Sequence, residues 1–190
     1  MTRRIALALA LFLFSTASFA DWSLSPESKL SFVSVKANSI GETHTFSTMS
    51  GAVSADGEVE LTIDLSSVET QIPIRNERML EFLFEVAKYP KATISASIDA
   101  KKYKTMSTGE QAKMTLPLKV DLHGKTVSLK SDLIVVKLAK KQLLVISESP
   151  ILLNTAAFEM VPGVDKLQAL AGLPSISKIV PVSFSLFFDM

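Results

Sequence analysis

Apolar and polar residues alternate along most of the chain. Val59, Leu61, Ile63 and Leu65 are interleaved with Glu58, Glu60, Thr62 and Asp64. One face of that stretch is apolar and the other wet, as a half-buried strand requires. Met114, Leu116, Leu118, Val120 and Leu122 alternate with Lys113, Thr115, Pro117, Lys119 and Asp121. Val127, Leu129, Leu133 and Val135 then run back as a second strand. Ile94, Ala96 and Ile98 form a shorter stripe, and Val180, Val182, Phe184, Leu186 and Phe188 form a C-terminal one. Weaker strands are expected near 28–37, 43–54 and 141–148, for about eight in all, a spacing typical of sandwiches and barrels. Asp56-Gly57 and His123-Gly124-Lys125 mark tight turns. Pro117 lies on the polar face of its strand, which places that strand beside a bulge or an edge.

Two segments break the period of two. In residues 75–86, Met79, Leu80 and Leu83 share a face at helical spacing, with Asn76 as the expected cap. In residues 163–173, Val164, Leu167, Leu170 and Ala171 do the same after Pro162-Gly163. No repeat or interdomain linker is present.

The first residues follow a different rule. Arg3-Arg4 precedes an apolar run from Ile5 to Phe14, and small residues stand at Ser18 and Ala20. This is the layout of a cleavable secretory leader over residues 1–20, with Asp21 as the new N-terminus. A membrane anchor would need roughly 20 apolar residues, more than this run offers. No Cys follows the run, so lipid anchoring through a thioether is excluded. Cleavage leaves 170 of the 190 residues, enough for one domain (21–190). It removes two of twenty cations and leaves eighteen against nineteen carboxylates, a balance of −1. Near-zero charge points to neither nucleic acid nor an anionic surface as a bulk partner. The absence of Cys excludes disulfides, thiol catalysis and thiolate metal sites.

Candidate chemistry is sparse. His44 and His123 are the only histidines, and no His-x-x-x-His or His-x-Glu pair suggests a metal. His123 reads as a structural turn residue, and His44 as either a hydrogen-bonded strand residue or a site residue. No Gly-x-Ser-x-Gly elbow or phosphate loop occurs. Arg75 and Arg78 are the only arginines after the leader. Their forked donors suit Glu77, Glu81, Glu85 or backbone carbonyls; alternatively Arg75 anchors a ligand head group or holds the barrel mouth. The aliphatic stripes fit either a filled interior or one that holds a long hydrocarbon, and pattern alone leaves both open.

Several segments taken together resemble the YceI family of lipid- or polyisoprenoid-binding-like proteins. They are Trp22-Ser23-Leu24 with Ser28–Phe32, Glu42–Phe46 with Ser50–Val53, and Ile63–Thr70. Arg75-Asn76-Glu77-Arg78-Met79-Leu80, Lys88–Ala92 and Leu116-Pro117-Leu118 with Leu122-His123-Gly124 complete the set. Asn76 stands where many members have Asp, and residues 150–175 depart from the family's shorter ending and read as an inserted helix near the mouth. The resemblance implies a mainly β, lipocalin-like, eight-stranded antiparallel barrel with one or two short helices. It implies a periplasmic protein that binds a polyisoprenoid, quinone or similar amphiphile, without catalysis, cofactor or metal. Enzymatic action on a lipid and a packed barrel that serves interaction alone are the alternatives. The expected lining is Leu61, Ile63, Ile94, Ile98, Leu116, Leu118, Leu129, Leu133, Phe184 and Leu186, with His44 and Arg75 at the mouth or head group. Stable membrane insertion is not expected, and a homodimer is compatible with the pattern.

Overall fold

The computed structural model describes residues 20–190. The leader expected over residues 1–20 lies outside the described residues, apart from Ala20. Twelve strand segments appear: β1 (Ala20–Leu24), β2 (Lys29–Lys36), β3 (Ile40–Phe46), β4 (Met49–Ser54), β5 (Glu58–Asp64), β6 (Val68–Glu69), β7 (Lys91–Ser97), β8 (Gln111–Leu122), β9 (Lys125–Ala139), β10 (Gln142–Ser147), β11 (Ile151–Asn154) and β12 (Ile179–Asp189). All neighbouring pairs are antiparallel.

The twelve segments make eight staves. β1 and β2 lie end to end along one edge of β12, and β10 and β11 lie end to end along its other edge. β3 and β4 continue each other opposite β2 and β1, and β6 extends β5 against β3. The staves follow one another in chain order. The last closes on the first through Ser23↔Asp189, Leu24↔Phe188 and Phe32↔Val182. Among the described residues, closure leaves no long unpaired edge. The stripes read from the sequence turn their apolar side inward, and Glu58, Glu60, Lys119 and Asp121 face water.

Local chemistry explains the breaks. His123 and Gly124 both take positive φ, 54° and 71°, in the two-residue turn between β8 and β9. The β7–β8 ladder ends at Ser95↔Lys119, two positions short of Pro117, which has no N–H to continue it.

The helical content differs from expectation. α1 (Pro73–Arg78) starts at Pro73 in place of Asn76, because proline's fixed φ suits the first turn. Asn76 caps no helix; its Oδ1 accepts from the Thr70 N–H (2.9 Å) and hydroxyl (2.5 Å), pinning the strand end before α1. A π-turn at Met79–Leu83 follows. It leaves Met79 and Leu83 on the barrel interior and Leu80 packed at its edge. The sequence reading missed α2 (Ala100–Lys104), a single turn capped by Asp99 through the Lys101 N–H at 3.2 Å. α3 (Val161–Leu170) matches the second helical segment, although Leu170 is exposed. Gly163 lets α3 sit directly on the π-turn: a Cβ there would fall 2.4 Å from the Phe82 carbonyl oxygen.

Two apolar clusters lie inside the barrel. One holds Phe32, Leu65, Met79, Leu118, Phe158 and Met160; the other holds Trp22, Val53, Tyr103, Leu143 and Phe188. Ile94, Ile98, Met114, Val145 and Phe184 pack against both.

Candidate functional site

A cavity of about 500 Å³ runs through both clusters. Pockets that bury whole small ligands span roughly 300–1,000 Å³. The ten apolar residues expected to line it (Leu61, Ile63, Ile94, Ile98, Leu116, Leu118, Leu129, Leu133, Phe184 and Leu186) all lie on its wall, as do His44 and Arg75. Trp22, Tyr103, Leu143 and Phe188 close one end. Tyr103 comes from α2, and its hydroxyl lies 2.9 Å from the Met114 sulfur. Its removal from water raises its pKa above the ordinary phenol value.

Polarity rises along two paired strands toward the other end. On β2 the inward residues run Leu30, Phe32, Ser34, Lys36, and on β3 they run Phe46, His44, Glu42. The register sets Phe32 opposite His44 and Ser34 opposite Glu42, so the two gradients coincide. His44 is buried, with its ring edge-on to Phe32 at 5.2 Å between centroids. Its Nε2 lies 2.8 Å from the Ser34 hydroxyl oxygen, and its buried Nδ1 finds no partner among the described residues. Burial, and then the charge of Arg75, hold the His44 pKa below the ordinary imidazole value, so the ring is neutral.

The partner of Arg75 is Glu42, not Glu77, Glu81 or Glu85. The guanidinium reaches back from α1 to β3, where Nη1 donates to Glu42 at 2.8 Å. Nη2 donates to the Thr70 carbonyl at 2.6 Å, which is the backbone contact the sequence allowed. Nε is buried and unpartnered among the described residues. Lys36 also lies 2.8 Å from the same Glu42 oxygen. Its hydrogen bond, with that of Arg75, keeps the Glu42 carboxyl below the usual range against the opposing effect of burial. Ser34 and Lys36 were not singled out from the sequence, and Glu42 and Arg78 were not placed at the mouth. The signal was there: Ser34 and Lys36 extend the Leu30–Phe32 stripe in steps of two, and Glu42 and His44 extend that of Phe46.

His123 stands outside this cavity wall. Its ring spans the Phe158 carbonyl (3.2 Å) and Glu85 (2.6 Å) and packs on Tyr89, pinning the β8–β9 turn. Among the described residues no trio of His, Asp or Glu is placed to hold a metal ion.

The fold and cavity define a class: a closed antiparallel barrel with an apolar interior and one polar end. The chain matches the YceI-like domain over residues 22–188 and belongs to the YceI family. It is similar to a polyisoprenoid-binding domain from Saccharophagus degradans implicated in plant cell wall breakdown. That match has 37% identity and a TM-score of 0.88, and covers 90% of this chain and 99% of that one. Burkholderia cenocepacia BcnA shares the fold at 21% identity, with a TM-score of 0.65 over 85% of this chain and 96% of its own. The Campylobacter jejuni YCEI protein does so at 13% identity and TM-score 0.58, covering 77% of this chain and 84% of that one. No curated protein matches the chain. No helix among the described residues is long and apolar enough to cross a membrane.

Proposed function

We propose that the protein is a periplasmic carrier that holds a long-chain apolar ligand, a polyisoprenoid, quinone or similar amphiphile, inside the barrel. One observation carries the reading: the cavity wall is mostly apolar through both core clusters, and its charged side chains and His44 all lie at the end formed by β2, β3 and α1. Such a wall suits a hydrocarbon tail with a single polar head. Each buried methylene contributes about 0.8 kcal/mol, so a long tail supplies most of the affinity. The 37%-identical Saccharophagus domain, described as polyisoprenoid-binding, supports this ligand class. The cavity itself weighs against a fully packed barrel that serves interaction alone. At the end formed by β2, β3 and α1, the Nδ1 of His44 and the Nε of Arg75 have no partner among the described residues and could meet a head that carries oxygen atoms; elsewhere on the wall the Thr155 hydroxyl and the Trp22 indole N–H also lack one.

The test is native mass spectrometry of the protein purified from its own host, followed by organic extraction. A discrete added mass that extracts as an isoprenoid or quinone supports the carrier. Leu118→Lys puts a charge on the wall and is expected to abolish that mass. Ala96→Trp fills the same space without charge and guards against a folding defect in the first variant. Lipid retained by both variants, each shown to be folded, contradicts the reading.

A further inference from the structure

Among the described residues, only Ile72, Ile74 and Ala171 both line the cavity and stand exposed. They therefore mark its mouth, between the start of α1 and the end of α3. Ile72 is 43% exposed and Ile74 51%. Two more large apolar side chains border the same opening. Ile40 (50% exposed) pairs with the wall residue Lys36, and Leu170 (37%) receives a hydrogen bond on its carbonyl from the wall residue Arg78. The rim is tied into one surface. The Ala37 N–H donates to the Ser175 carbonyl (3.0 Å), and the Ser177 N–H to that of Val35 (2.8 Å). Folding brings these apolar residues to one opening although they are distant in sequence.

On the cavity wall at this mouth, cations outnumber carboxylates. The ionised residues on the cavity wall are Lys36, Arg75 and Arg78 against Glu42 alone. Glu69 beside α1 and Glu77 on it are exposed, outside that wall, and Lys36 and Arg75 share Glu42 as partner, so the excess on the wall rests on Arg78 and the second of that pair. Exposed isoleucines beside cations suit the headgroup layer of an anionic bilayer.

We propose that this rim is a docking surface for an anionic lipid bilayer, through which a chain passes between membrane and barrel. The proposal rests on the carrier reading. A tail loses a factor of about four in partitioning for each methylene exposed to water. An exchange path that keeps it out of water therefore needs a mouth that touches the bilayer, and the apolar rim supplies one.

The experiment is flotation of protein beginning at Asp21 with vesicles of phosphatidylglycerol alone and of phosphatidylcholine alone. Binding to the anionic vesicles is expected, weakened by salt. Ile72→Ser/Ile74→Ser should lower it roughly tenfold or more. Ile40→Ser/Leu170→Ser, which leaves the cavity wall intact, should lower it several-fold with extracted cargo unchanged. Failure of the wild-type chain to float overturns the proposal. So does binding that ignores both double variants, or lipid uptake only from another protein. Cargo is measured on the same preparations by extraction. Vesicle binding with no cargo would contradict the carrier reading and leave docking standing.

Discussion

The two ends of the barrel are built from different chemistry. At the closed end Trp22, Tyr103, Leu143 and Phe188 are almost fully buried and come from β1, α2, β10 and β12. At the mouth the packing residues give way to Ser34, Lys36, Glu42, His44 and Arg75, and Ile72 and Ile74 remain exposed. One end is a core that resists water; the other is an opening whose polar groups are only partly satisfied. The difference teaches that a barrel can obtain stability and binding from separate regions. Substitutions at the two ends should therefore fail in different ways.

The sharpest break of this division is expected at the closed end. Trp22→Ala should lower stability by about 3–5 kcal/mol, as truncation of a buried aromatic does, read as a fall in the denaturation midpoint. A loss well under that range would mean the closed end is not the anchor. Gly163→Val is expected to follow. Its side chain would meet the Phe82 carbonyl and the Leu83 backbone, so α3 must lift from the π-turn. About 1–3 kcal/mol of destabilisation should result, with faster hydrogen exchange confined to α3 and Met79–Leu83.

At the mouth the balance reverses. Arg75→Met should change stability by no more than about 1 kcal/mol, since the ion pair is partly solvated and Glu42 keeps Lys36. Cargo with an oxygen-bearing head should nevertheless dissociate faster, read as loss of the added mass during dilution. The smallest effect concerns pH. The folded-state pKa of His44 is depressed, so below the unfolded value of about 6.5 the unfolded chain binds the extra proton. The stability this residue contributes is full above that pH and drains as pH falls beneath it. The carboxyl of Glu42, also depressed, acts in a lower window, beneath about 4.3. His44→Asn should flatten the upper part of a melting-temperature profile and leave the lower part in place.

Much of the barrel was legible because a strand with one buried face must alternate. That periodicity located the inward residues of β5, β7, β8, β9 and β12 without any knowledge of pairing. It could not show that β1 with β2, or β10 with β11, form single staves, because that depends on where β12 lies. The error at Asn76 has a physical cause: Asn caps helices and strand ends through the same acceptor oxygen, and here Thr70 claims it. The partner of Arg75 was hidden because Glu42 lies 33 positions away and only the barrel register brings the two together. Tyr103 escaped notice because a single helical turn carries no period to read.

The most direct test of the account uses the sole tryptophan of the chain, Trp22, which lines the closed end of the cavity. A prenyl alcohol brominated at its terminal isoprene unit is compared with one brominated at the unit beside the hydroxyl, by quenching of Trp22 fluorescence. The tail is predicted to lie at the closed end with the head at the mouth, so the terminal bromine should quench strongly and the other weakly. Equal quenching by both, or quenching by neither once binding is confirmed, would contradict that arrangement.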